Sequence, residues 1–397
     1  MIEDKDAALD SRTSWLISVL GLVLLTLIWG MIFTFTVYSQ AIESAFGLSR
    51  LRVSTIFSIT TAAFMIAGGL IGILIARAPL RPVVAISGVA FALAVGLVQF
   101  AASYPVLMFA FGLLGTAGGT VFVIVISLVP QWFDEYEGRA MGITFIGNGL
   151  GVLVLPPVWV FLLERMSISR ALLVIGWTTA AVILLSSTVY RRPPGVRGTA
   201  AASVDVAWIR DRLADRAFVV SLAGFSLLWS WYFVLSVDLV AILTAGGIGR
   251  TVAATAFGIV GGVSVITRIA GGAVADRVGI RVTLTSGVVL AAIGMGGLPL
   301  VSTPLSMYVV LVLFGIGLGV VAPLFSPILL NRFGAANATA LIGIFNIGEA
   351  VTAISVPILL NVLTGFSGGY TLPLVLVFVM TLLGGWLFHR GTAPKTA

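Results

Sequence analysis

Long apolar runs alternate with short polar joints along almost the whole chain. Twelve runs can be marked, at roughly 15–39, 53–76, 83–102, 106–129, 140–163, 171–190, 217–243, 251–275, 282–301, 305–330, 338–363 and 371–388. Each is long enough to cross ~30 Å of hydrocarbon as a helix rising about 1.5 Å per residue. One joint is longer than the rest. Residues 191–216, RRPPGVRGTAAASVDVAWIRDRLADR, are polar, open on a Pro-Pro-Gly break and end in a sequence suited to a short amphipathic helix. The pattern predicts an all-α polytopic membrane protein of twelve transmembrane helices. A six-helix bundle over 1–190 is joined by a linker over 191–216 to a second over 217–397, which ends in a short tail.

Composition narrows this further. Hydrophobic residues make up 59% and charged residues only 9%, against about 25% charged in ordinary soluble domains. A mean hydropathy of +1.16 leaves no room for a large soluble domain. There is no cysteine, which excludes disulfides, zinc–thiolate sites and thiol chemistry, and the single histidine, His389, is close to the C-terminus. An intramembrane enzyme needs a nucleophile–base pair or metal ligands, so no enzymatic activity, metal or cofactor is expected. The net charge of +7 does not point to nucleic acid, because the basic residues sit mostly in the joints. With the N-terminus in the cytoplasm, 16 of the 22 Lys and Arg lie in cytoplasmic segments and 5 in outer ones, and Arg268 alone lies within a run. The bias places both termini in the cytoplasm of a cytoplasmic (inner) membrane, with the first run retained as a span.

The two halves repeat. Gly72, Arg77 and Arg81 recur 200 residues later as Gly272, Arg277 and Arg281, Trp29 as Trp229 and Phe133 as Phe333. Gly142, Gly147 and Pro156 recur 201 residues later as Gly343, Gly348 and Pro357. Parallel six-helix repeats around a midplane site are a transporter architecture with alternating access. The glycines of the fourth and tenth runs, Gly112, Gly115, Gly118, Gly119, Gly315, Gly317 and Gly319, read as close helix contacts. Pro130, Pro156, Pro157, Pro323, Pro327 and Pro357 are expected to kink or end their helices.

The segment Gly272-Ala-Val-Ala-Asp276-Arg277-Val-Gly279-Ile-Arg281 resembles the loop motif of the major facilitator superfamily, which joins the second and third helices of each half. The first-half copy has Ala76 for the acid and Pro79 for the glycine. Gln131-Trp132-Phe133, then Arg139-Ala-Met-Gly142 and Pro156-Pro157, resemble the monocarboxylate transporters and oxalate–formate antiporters. The resemblance implies that an arginine of the eighth helix binds the substrate carboxylate, and Arg268 falls at that place. It also implies a gating latch at Asp276, Arg277 and Arg281, with Arg77 and Arg81 as first-half counterparts. Three positions depart from the pattern. Glu349 stands where the antiporter branch has a second cation. Phe33 stands where the monocarboxylate branch has a lysine, and Ser264 where it has an acid.

A charge at membrane depth costs about 2.5–3.5 kcal/mol on insertion scales, so Arg268 needs a compensating partner. Its planar fork of donors suits a carboxylate. A glutamate in apolar surroundings can carry a proton at physiological pH, so Glu349 is expected to couple proton movement, with Asp238 near the outer end of the seventh run as a second candidate. Tyr38, Thr34, Asn148, Trp231, Tyr232 and Asn346 are candidate lining residues. The expected function is a monomeric secondary transporter of a small organic anion, a monocarboxylate, by proton symport or anion antiport. The alternative is an efflux pump for hydrophobic or cationic compounds, attracted by Glu349 and Asp238. A structural Arg268–Glu349 bridge is the plainer reading of both charges.

Overall fold

In hydrocarbon a backbone N–H or C=O finds no water, so a spanning segment must satisfy its own ladder as a helix. The structure is a computed structural model that describes residues 9–74, 79–101, 103–193, 206–334 and 338–393. Among these there are no strands, and twelve helical segments are long and apolar enough to cross a membrane. The chain is a multi-pass membrane protein.

The first six crossings are α1 (Arg12–Phe33) continued by α2 (Phe35–Phe46), α3 (Arg50–Leu74), α4 (Leu80–Gln99), α5 (Tyr104–Leu128), α6 (Glu137–Leu163) and α7 (Ile168–Val189). A short α8 (Val206–Ala214) follows. The last six are α9 (Arg216–Leu228) continued by α10 (Ser230–Ala245), α11 (Arg250–Val278), α12 (Ile280–Gly297), α13 (Pro304–Phe333), α14 (Ala338–Ser367) and α15 (Thr371–Gly391). An even number of crossings returns the chain to its starting side, here called the terminal face; the other is the far face.

Close helix pairs repeat with the sequence. Gly115 and Gly119 of α5 lie against the backbone carbonyls of Thr60 and Phe64 on α3, where any added Cβ would collide. Two hundred residues later, Gly315 and Gly319 of α13 lie as closely on Val263, Ser264 and Thr267 of α11. The halves meet mainly through α3 against α14 and α6 against α11, and on the far side through α2 against α10. Small residues permit this too: Gly69 faces Gly343, and Gly149 faces Gly261.

Two features were not legible in the hydrophobic pattern. The first and seventh crossings are each interrupted once, at Thr34 and Trp229. At each interruption a hydroxyl turns back onto the chain, Thr34 to the Gly30 carbonyl and Ser230 to that of Leu227, competing with the helix ladder. The prolines behave unevenly. Pro130 lies in the 3₁₀ turn Val129–Trp132 that closes the fourth crossing, while α6, α13 and α14 continue through Pro156, Pro157, Pro323, Pro327 and Pro357. Gly279, between α11 and α12, has φ +95°, a conformation that favours glycine. Its first-half counterpart Pro79 has φ −69°, so the two loop copies cannot share one turn.

Candidate functional site

Arg268 lies ten residues before the terminal-face end of α11, and Glu349 eleven residues beyond the terminal-face start of α14. At ~1.5 Å per residue both stand about 15 Å deep. Neither is satisfied. One Arg268 Nη donates a long 3.4 Å bond to the Phe145 carbonyl of α6, and its buried Nε has no partner. Glu349 is only 6% exposed and makes no hydrogen bond or ion pair among the described residues. The two charges share a depth without bridging.

The phenol of Tyr232 on α10 lies within electrostatic reach of both Arg268 and Glu349. The Trp29 indole of α1 donates to the Tyr232 hydroxyl at 2.8 Å, across the boundary between the two sets of six crossings. Asn148 lies one turn from Phe145 on α6, buried, its Oδ1 without a partner. Asn346 lies one turn from Glu349 on α14, 8% exposed. Arg268, Glu349, Tyr232, Asn148 and Asn346 bring α6, α10, α11 and α14 to one region.

Other expected residues go elsewhere. Thr34 is occupied at the helix interruption. Tyr38 spans that interruption, donating to the Met31 carbonyl at 2.7 Å, and packs on Trp159 with ring centroids 4.3 Å apart. Trp231 is fully buried and stacks on Phe314 at 5.4 Å.

Asp238 sits nearer the far face in a network that joins the halves. Arg50 at the start of α3 directs its Nε (3.1 Å) and an Nη (2.5 Å) to one Asp238 oxygen. The Asn361 amide of α14 donates to the other oxygen at 3.2 Å and to Ser54 of α3 at 2.8 Å. Glu43 lies 3.9 Å from Arg50 and within electrostatic reach of Arg250. Alongside, the Thr36 hydroxyl accepts the Val240 N–H at 2.9 Å. Arg50, Ser54 and Asn361 were not singled out from sequence. The signal available was that Arg50 and Arg250 stand 200 residues apart, each opening the second helix of its half.

On the terminal face, the structure does not assemble the expected latch among the described residues. Arg281 donates to the Thr392 carbonyl at 2.7 Å and to that of His389, capping the end of α15. Capping explains why it is not directed at Asp276, since orphan carbonyls at a helix end attract a cation. Asp276, Arg277 and Arg81 are exposed and make no ion pair there. Arg77 lies outside the described residues.

A sequence model of the Major Facilitator Superfamily matches residues 18–357. The chain belongs to this superfamily. Its members are transporters rather than enzymes, and so is this chain. Monocarboxylate transporter 13 of Rattus norvegicus is 24% identical over 378 residues, covering 94% of this chain and 88% of the relative. The oxalate:formate antiporter of Oxalobacter formigenes is 26% identical over 278 residues, covering 67% and 64%. Within the superfamily, the chain is thus similar to the monocarboxylate and oxalate–formate branch. Among solved structures, a bacterial homolog of the human lysosomal transporter Spinster, in an inward-facing and unoccupied conformation, superposes with a TM-score of 0.73 at 14% identity over 96% of this chain and 97% of the other.

Proposed function

We propose that this transporter moves a monocarboxylate together with a proton across the cytoplasmic membrane by alternating access, with both termini in the cytoplasm. The observation that carries this is the unsatisfied pair at one depth: a guanidinium with unused donors and a buried carboxyl with no partner. Leaving an ion buried and unpaired costs several kcal/mol, so each is accounted for by a ligand that comes and goes. Arg268 holds the substrate carboxylate in its fork. Glu349 takes up one proton as the anion binds, so the site gains no net charge.

Asp238 serves the gate in this reading. With Arg50, Asn361 and Ser54 it closes the outer side and must separate when the halves rock. Asn148, Asn346 and Tyr232 complete the polar lining, and Trp231, Tyr38 and Thr34 hold the helices that carry it. The loop at Asp276, Arg277, Arg281, Arg77 and Arg81 engages in the opposite conformation.

A second reading is export of a lipophilic cation, favoured by the unpaired Glu349 carboxyl among aromatic rings. Uptake into proteoliposomes separates them. Labelled lactate, pyruvate, formate and oxalate are offered to wild type and to Arg268→Ala. Saturable uptake of a carboxylate that disappears in the variant is expected. Failure to move any carboxylate, together with extrusion of cationic dyes, would overturn the anion reading.

A further inference from the structure

Next to the two charges lies an aromatic cluster that the transport scheme above leaves unused. Trp29 and Phe33 of α1 stack at 4.2 Å between centroids. Trp29 lies 5.9 Å from Phe64 of α3 and 5.4 Å from Phe122 of α5. Phe33 lies 5.6 Å from Phe64 and 5.6 Å from Tyr232. Phe33, Phe64 and Tyr232 are buried, whereas Trp29 and Phe122 keep accessible surface deep in the bundle. The cluster straddles the boundary between the halves. Its polar link across that boundary is the Trp29–Tyr232 hydrogen bond, and Tyr232 lies within electrostatic reach of Arg268 and Glu349.

Resting on the anion reading, we infer that the preferred substrate is an aromatic monocarboxylate, its carboxylate on Arg268 and its ring against Trp29 and Phe122. The chemistry selects on two grounds. There is one fixed cation, so one carboxylate is compensated. The ring faces carry negative quadrupoles, which repel a second carboxylate and accept an apolar ring edge. A dicarboxylate is therefore disfavoured, and formate or lactate leaves the aromatic side unfilled.

The test is calorimetric binding to the purified full chain in nanodiscs, with benzoate, phenylacetate, lactate, formate and oxalate as probes. Benzoate and phenylacetate are expected to bind at least about tenfold more tightly than lactate, formate or oxalate, the sum of two aromatic contacts. Phe122→Leu is expected to weaken the aryl acids roughly three- to tenfold while leaving lactate within about twofold. Phe122→Tyr, which keeps a ring, should retain the preference and so serves as the folding control. Lactate or formate binding as tightly as benzoate would overturn the inference and leave the anion reading standing. So would an equal loss for all acids in Phe122→Leu. If no carboxylate binds at all, the anion reading falls, and the inference with it.

Discussion

Arg268 and Glu349 lack partners in complementary ways: one has donors to spare, the other an acceptor. Truncating the partner of a buried charge costs roughly 2–5 kcal/mol, so Arg268→Ala is expected to weaken carboxylate affinity by roughly thirtyfold to a few thousandfold, measured by substrate competition. Arg268→Lys keeps the charge but loses the planar fork and should recover only part of the affinity. Both residues were legible as sequence, because a charge inside an apolar run is conspicuous. Their missing bridge was not, since it depends on how α11 and α14 are rotated about their axes. Trp29 and Phe122 were hidden for another reason. In hydropathy an aromatic facing the site looks like one facing lipid.

Among the elements, the far-side network is where α3, α10 and α14 are tied together. Asp238 is fully buried and Arg50 is 29% exposed, so the ion pair is more than a solvated contact. Asp238→Asn is expected to raise labelling of a single cysteine placed on the outer mouth several-fold, a measurement that the cysteine-free chain makes clean. Exchanging the charges, Arg50→Asp with Asp238→Arg, should return labelling toward wild type; no change in either variant would remove the gate assignment. Helix packing gives a second prediction. Gly115→Ala would drive a Cβ into the Thr60 carbonyl, whereas nothing lies within 4 Å of a Cβ at Gly96. Thermal unfolding should show Gly115→Ala destabilised by about 1–3 kcal/mol, with Gly96→Ala neutral or slightly stabilised. The glycines of the fourth and tenth runs marked close helix contacts in the sequence, but the partners, α3 for α5 and α11 for α13, are seen only in the structure. The pairing of Arg50 with Asp238, 188 residues away, had no local trace, and neither did the interruptions at Thr34 and Trp229.

For the molecule as a whole, the duplicated hydrophobic pattern made the fold readable. A membrane leaves so few backbone solutions that twelve apolar runs with a 200-residue offset specify it. In the proposed scheme Arg268 and Glu349, both in the second set of six crossings, divide the charge of substrate and proton between them. A carboxylate and a proton entering together carry no net charge, so uptake should follow an imposed pH gradient and ignore an imposed membrane potential. The most direct test of this account is Glu349→Gln in proteoliposomes, comparing carboxylate exchange at equal pH with accumulation driven by an inward proton gradient. The account predicts that the variant exchanges near the wild-type rate but no longer accumulates substrate above equilibrium. Gradient-driven accumulation at the wild-type level in Glu349→Gln would contradict it.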